Sequence, residues 1–246
     1  MTSRNPGILM PPLSPALTAL WHLLFDLTEE MPTGWCLIGG QMVTLHGIEH
    51  GRTDIRPSVD GDVLVDVRAD PLALRQVVHF LELRAFEPDP GPDGLLHRFK
   101  RKLDADFVIV DILAPDNVGA RADLTTSPPG HTLEVPGGTQ ALNRTQRVRV
   151  TVANRSGEIP RPSILAAILG KAAAVYLPGD GAHLHDLAFL LSLVPDPVGI
   201  RSELKPAERR KLRACALVDR AHPVWNSQPA ERANAGHAAL RLLGGG

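Results

Sequence analysis

Two glycines and three aspartates are the residues in this chain best suited to chemistry. Gly39 and Gly40 leave the apolar run Trp35-Cys36-Leu37-Ile38, Asp60 and Asp62 open a valine-rich run, and Asp111 lies within Phe107-Val108-Ile109-Val110-Asp111-Ile112-Leu113. Aspartates at i and i+2 of a strand place both carboxylates on one face, where unrelieved repulsion raises a pKa. Divalent cations relieve that repulsion, and Mg²⁺ favours one or two carboxylates together with substrate phosphate oxygens. An ionised Asp111 in a strand apolar on both faces would cost on the order of several kcal/mol unless a metal or another cation paired with it. A glycine pair between strand and helix presents backbone N–H groups at a helix N-terminus, where phosphate is favoured. Together the residues could hold two divalent metals, Mg²⁺ or Mn²⁺, against a nucleoside triphosphate, clamping the attacking and leaving oxygens of an in-line displacement.

The elements that must position these groups are legible in outline. Ser14-Pro15 is a helix opening, followed by Leu17, Leu20, Trp21, Leu24 and Leu27 at helical spacing, and Pro32-Thr33-Gly34 ends that helix. Residues 35–38 then read as a short buried strand, Gly39-Gly40 as a tight turn and 41–46 as a helix. From Asp60 to Arg68 the residues alternate, with Gly61, Val63, Val65 and Val67 on one side and Asp60, Asp62, Leu64 and Asp66 on the other. Residues 71–84 form an amphipathic helix, and 106–113 a central strand covered on both faces. Between Leu124 and Pro162 turn signals surround an alternating strand, Arg147 to Val152. Beyond Pro160 the pattern is helical, over 164–176, 183–194, 206–220 and 228–243. The expected fold is α/β (α+β): a mixed sheet with flanking helices and a β-rich extension over residues 1–160, then an α-helical domain over 161–246.

Bulk properties narrow the setting. The 246 residues carry a formal charge of −1, so any attraction to nucleic acid or an anionic membrane must come from local patches. Two cysteines make no disulfide framework and point to a reducing compartment. Pro11, Pro12 and Pro15 break any signal-peptide core, and the apolar stretch from Ile164 to Leu177 is interrupted by Lys171 and too short to span a bilayer. A cytoplasmic protein without membrane association is expected. Basic clusters at 98–102, 144–149 and 201–213 read as solvated faces; aromatics, at 4%, are not interleaved with them, so no stacking platform for single-stranded RNA is evident.

The order of these motifs resembles the nucleotidyltransferase superfamily typified by DNA polymerase β, in which a hydrophobic-Gly-Gly turn precedes a D-x-D strand and a further aspartate on a neighbouring strand. More narrowly, Ile38 to Gly47, then Arg52 and Arg56-Pro57-Ser58-Val59-Asp60-Gly61-Asp62, is similar to minimal bacterial nucleotidyltransferases of the AbiEii toxin type. Lys171 and the His185-Asp186-Leu187 segment resemble the lysine and helical aspartate found after the catalytic sheet in those proteins. The resemblance spans roughly residues 35–195. It implies that Asp60 and Asp62 bind both metals and the triphosphate. Asp111 would bind the catalytic metal and help deprotonate the acceptor hydroxyl; Gly39 and Gly40 would cradle phosphates, and Lys171 would neutralise the triphosphate. The implied reaction is transfer of a nucleoside monophosphate to a hydroxyl of RNA such as tRNA, or of a protein, by the toxin of a toxin–antitoxin pair with an antitoxin partner. A small-molecule, aminoglycoside-like acceptor and a catalytically silent nucleotide- or partner-binding module are the alternatives. Two departures from the pattern stand out: a long interval from Gly40 to Asp60, and Gly61 in place of an apolar residue.

Other candidates carry competing readings. Lys171 interrupts an apolar helix and could be a snorkelling lysine at a domain seam. Arg52 and Arg56 could reach phosphates or merely solvate a loop. His183 and His185 do not share a helical face, which speaks against zinc. Asp66 reads as a solvated strand end.

Overall fold

A computed structural model describes residues 7–91, 94–120, 122–177 and 181–245. In chain order, β1 (Ile8–Leu9) precedes α1 (Pro15–Glu30), β2 (Trp35–Ile38), α2 (Gly39–Glu49), β3 (Asp60–Val65), α3 (Ala73–Glu82), β4 (Glu87–Asp89), β5 (Arg98–Leu103) and β6 (Asp106–Pro115). Next come β7 (Glu134–Val135), α4 (Gly138–Asn143), β8 (Thr145–Val152) and β9 (Arg155–Pro162). The helices α5 (Ile164–Ala174), α6 (Ala182–Leu191), α7 (Pro197–Arg201), α8 (Pro206–Arg213) and α9 (Ala230–Gly244) complete the order. The mixed α/β architecture expected from the sequence is the one observed.

The main sheet runs β2-β3-β6-β5-β4, with β7 pairing β6 off that path. The β3–β6 pairing is parallel, while β2–β3, β5–β6 and β4–β5 are antiparallel. A smaller sheet runs β1-β8-β9. Its β8–β9 hairpin pairs Val152 with Arg155, so Ala153 and Asn154 form a two-residue turn, and Ala153 takes φ 51° as such turns require.

Local sequence explains the key elements. Ser14 caps α1 by accepting a hydrogen bond from the Leu17 N–H at 3.2 Å, with Pro15 opening the helix. Leu20, Trp21, Leu24 and Leu27 of α1 are buried, and the helix packs against β3, β6 and β9. Leu20 accounts for Gly61: a Cβ there would lie 2.9 Å from Leu20 Cδ1, so an apolar side chain between the two aspartates has no room.

Two sequence expectations change. Residues 98–102 are not a free basic face but strand β5, whose Phe99 is fully buried; the consecutive charges of Lys100, Arg101 and Lys102 interrupt the alternation and masked its strand pattern. The helix expected over 206–220 stops at Arg213, and Ala216–Val218 forms a 3-10 turn that buries Leu217. A single hydrophobic cluster reaches from Ile8 to Leu243, joining sheet and C-terminal helices across the Pro160 boundary. Among the described residues, no helix is long and apolar enough to cross a membrane.

Candidate active site

Strand register builds the site. Ile38 pairs with Asp62, Asp62 with Asp111, and Asp111 with Arg98, so these residues form one row across β2, β3, β6 and β5. Registered partners share a sheet face, and Asp60, two residues before Asp62, lies on the same one. The structure therefore brings Asp60, Asp62 and Asp111 together.

Arg98 is the unexpected member. Its Nε donates to Asp111 Oδ1 at 2.8 Å and its Nη2 to Asp111 Oδ2 at 2.7 Å, a bidentate clamp; Nη2 also reaches Asp60 Oδ2 at 3.3 Å. These hydrogen bonds hold the Arg98 guanidinium above its ordinary pKa. The Ser58 hydroxyl donates to Asp60 Oδ1 at 2.9 Å. A signal for Arg98 existed in the sequence: Leu103 pairs with Asp106, so Asp104-Ala105 is a two-residue hairpin turn, and counting back from it sets Arg98 against Asp111.

Asp62 is treated differently. Its carboxylate has no hydrogen-bond or ion-pair partner among the described residues. Burial first, then the charges of Asp60 and Asp111, push its pKa up to about 7, against the pull of Lys171 and Arg98. It lies over Gly39, the first residue of α2, which has φ 68°; a Cβ at Gly39 would lie 1.7 Å from Asp62 Oδ2. Gly40 is covered in turn by Ser58, whose Oγ would be 2.3 Å from an added Cβ, with Arg56 Nη2 at 3.6 Å. The long interval before Asp60 is thus filled by the full length of α2 and a loop that folds back over its N-terminus, fastened by the Gln41 amide donating to the Ser58 carbonyl at 2.8 Å.

Lys171 lies beside this cluster, but its ammonium is committed to Asp186 at 2.7 Å, with side chains 7% and 2% exposed. Arg56 adds two hydrogen bonds to Asp186, both 3.2 Å. Burial opposes ionisation of Asp186, yet Lys171 and Arg56 outweigh it and hold its carboxyl below the usual range. Arg52 is elsewhere. Its guanidinium makes two 2.8 Å bonds to Asp54, donates to Ser192 Oγ at 3.1 Å and stacks 4.8 Å from the Phe189 ring centroid. It pins the loop to α6, and Arg56 rather than Arg52 is the loop arginine nearest the glycine turn.

The donor set partly suits a hard divalent cation. Asp62 is a crowded carboxylate of the kind such an ion relieves, whereas both oxygens of Asp111 are taken by Arg98 and those of Asp60 by Ser58 and Arg98. Among the described residues, no group of three or more His, Cys, Asp or Glu is arranged to hold a metal ion.

The sequence matches no family model and no curated protein. Among solved structures it is similar to an antigenic nucleotidyltransferase-like protein from Paracoccidioides brasiliensis, with a TM-score of 0.54 at 14% identity over 92% of this chain and 95% of that one. A further match is the solution structure of the antibiotic-resistance factor ANT(2'')-Ia, with a TM-score of 0.41 at 12% identity over 93% of each chain, an overlap that adds nothing to the assignment. The fold is nucleotidyltransferase-like.

Proposed function

We propose that this chain is a nucleotidyltransferase, moving a nucleoside monophosphate from a nucleoside triphosphate to a hydroxyl group. The observation that carries the reading is the position of Asp62, facing Asp111 across the β3–β6 pairing while lying over Gly39 at the N-terminus of α2. Phosphoryl transfer asks mainly for positioning and charge neutralisation, and here carboxylates meet an anion-favouring helix end. Gly39 and Gly40 leave room for phosphate oxygens once the Asp62 carboxylate and Ser58 give way, and Arg56 and Lys171 supply positive charge close by. Asp60 and Asp62 would hold a divalent cation, Mg²⁺ or Mn²⁺, whose chemistry is to neutralise the triphosphate. Asp62 is the carboxylate free to accept the hydroxyl proton, since both Asp111 oxygens are already bonded to Arg98.

The resemblance to AbiEii-type toxins supports a macromolecular acceptor, a hydroxyl of tRNA or another RNA or of a protein, with an antitoxin as partner. The clamp on Asp111 favours a second reading: a module that binds nucleotide without turning it over. Incubation with a triphosphate radiolabelled at the α-phosphate, Mg²⁺ and cell extract separates the two. Label transfer that disappears with Asp62→Asn supports the enzyme; binding without transfer supports the silent module; neither defeats both.

A further inference from the structure

The face bearing the carboxylates does not end at them. Beyond the row of Ile38, Asp62, Asp111 and Arg98 it continues as Cys36, Leu64 and Leu113, members of a small separate apolar cluster with Ala141. Between this face and the segments of β7, α4 and α5 lies a pocket of about 230 Å³. Its walls include Met42, Leu113, Val135, Ala141 and Ala166, while Asp62, Asp111 and Lys171 stand at its polar end.

Size, wall chemistry and open space define what fits. The volume falls below the ~300–1,000 Å³ of sites that enclose drug-sized ligands, which excludes an aminoglycoside or a folded RNA end from its interior. No Phe, Tyr or Trp among the described residues lines it, and its aromatic rings are the imidazoles of His97 and His183. Among the described residues its carboxylates are Asp62 and Asp111, too few for a polycation. His97 also lines it, and the buried Nδ1 of that ring has no hydrogen-bond partner, which leaves one polar contact available to an occupant. Gly170, inside α5, keeps space free: a Cβ there meets nothing within 4 Å, although glycine inside a helix is less stable than alanine.

Resting on the transferase chemistry proposed above, and in place of the macromolecular acceptor that the toxin resemblance suggests, we propose that this pocket receives the acceptor, and that the acceptor is a small, largely aliphatic alcohol. Its hydrocarbon part lies among the apolar walls and its hydroxyl meets the carboxylate end. The hydroxyl oxygen forms the new bond to the α-phosphorus, and the bond from that phosphorus to the oxygen bridging to the β-phosphate breaks. Pyrophosphate leaves with that electron pair, and the hydroxyl proton passes to a carboxylate oxygen of Asp62.

Saturation-transfer NMR on the full chain, with octanol, glycerol and ATP as separate probes, tests the assignment. Octanol is expected to bind saturably and glycerol not. Gly170→Leu, which projects a side chain into the pocket, is expected to weaken octanol at least about tenfold while ATP binding is unchanged. Ala174→Leu, also lining the pocket, gives the same readout should the first variant not fold. Octanol binding untouched by both variants overturns the proposal, as does loss of ATP binding, which would place the nucleotide there. With ATP radiolabelled at the α-phosphate and Mg²⁺, label on octanol supports the full proposal. Absence of all turnover defeats the transferase reading, whereas transfer to cellular RNA without octanol binding defeats only the pocket assignment.

Discussion

Arg98 and Asp111 face each other across the β5–β6 hairpin and share two hydrogen bonds of 2.8 and 2.7 Å. The Asp111 side chain is 8% exposed, so its charge is balanced from within the fold rather than by solvent. Arg98→Ala strands that carboxylate and is expected to destabilise the protein by about 1–3 kcal/mol, less than the ~3–5 kcal/mol of a fully buried pair because the arginine itself is partly solvated. It also frees both Asp111 oxygens. Thermal unfolding in EDTA and in excess Mg²⁺ should show a larger Mg²⁺-induced rise in Tm for the variant than for the wild type.

Asp62 makes stability depend on pH. Its pKa is raised from 3.8 to about 7, by burial first and then by Asp60 and Asp111. A carboxyl with a folded pKa above its unfolded one costs nothing at low pH, where both states are protonated, and destabilises progressively as pH rises through the window between the two values. Asp62→Asn should therefore be more stable than the wild type above neutral pH, by up to about 4 kcal/mol, with the gap closing in acid. Denaturant midpoints at acidic and alkaline pH measure it. The same variant should lose about 10²–10⁴-fold in transfer rate if Asp62 accepts the proton.

Gly39→Ala combines backbone strain with a collision. The positive φ of 68° costs about 1–3 kcal/mol for a side chain, and the new Cβ would displace the Asp62 carboxylate. Gly34→Ala is the control, because Gly34 also has positive φ, 86°, but open space around its Cβ. Both should lose stability in denaturant titration; only Gly39→Ala should weaken triphosphate binding, by tenfold or more.

Lys171→Met removes one partner of a pair whose side chains are 7% and 2% exposed. With Arg56 alone left on Asp186, destabilisation of about 3 kcal/mol or more is expected. Lys171→Met combined with Asp186→Leu should recover part of the loss, because no uncompensated buried carboxylate remains. Urea unfolding of the two variants decides the point, and equal losses would show that the pairing carries no coupling.

The chain's own order of residues determined the local elements and the candidate carboxylates. Ser14-Pro15 opens α1, the valine alternation marks β3, and the apolar run around Asp111 marks β6, because capping and side-chain periodicity act over a few residues. Tertiary structure decided which groups meet. Strand pairing set Asp62 against Asp111 and Arg98 in one row, and helix packing delivered Lys171 to Asp186 and withdrew Arg52 toward Phe189. The space beside the carboxylates, bounded by segments as distant as Ile38 and Gly170, likewise comes only from packing. Register and ion pairing bring together groups far apart in the chain, and their energies depend on burial, which no short stretch of sequence specifies.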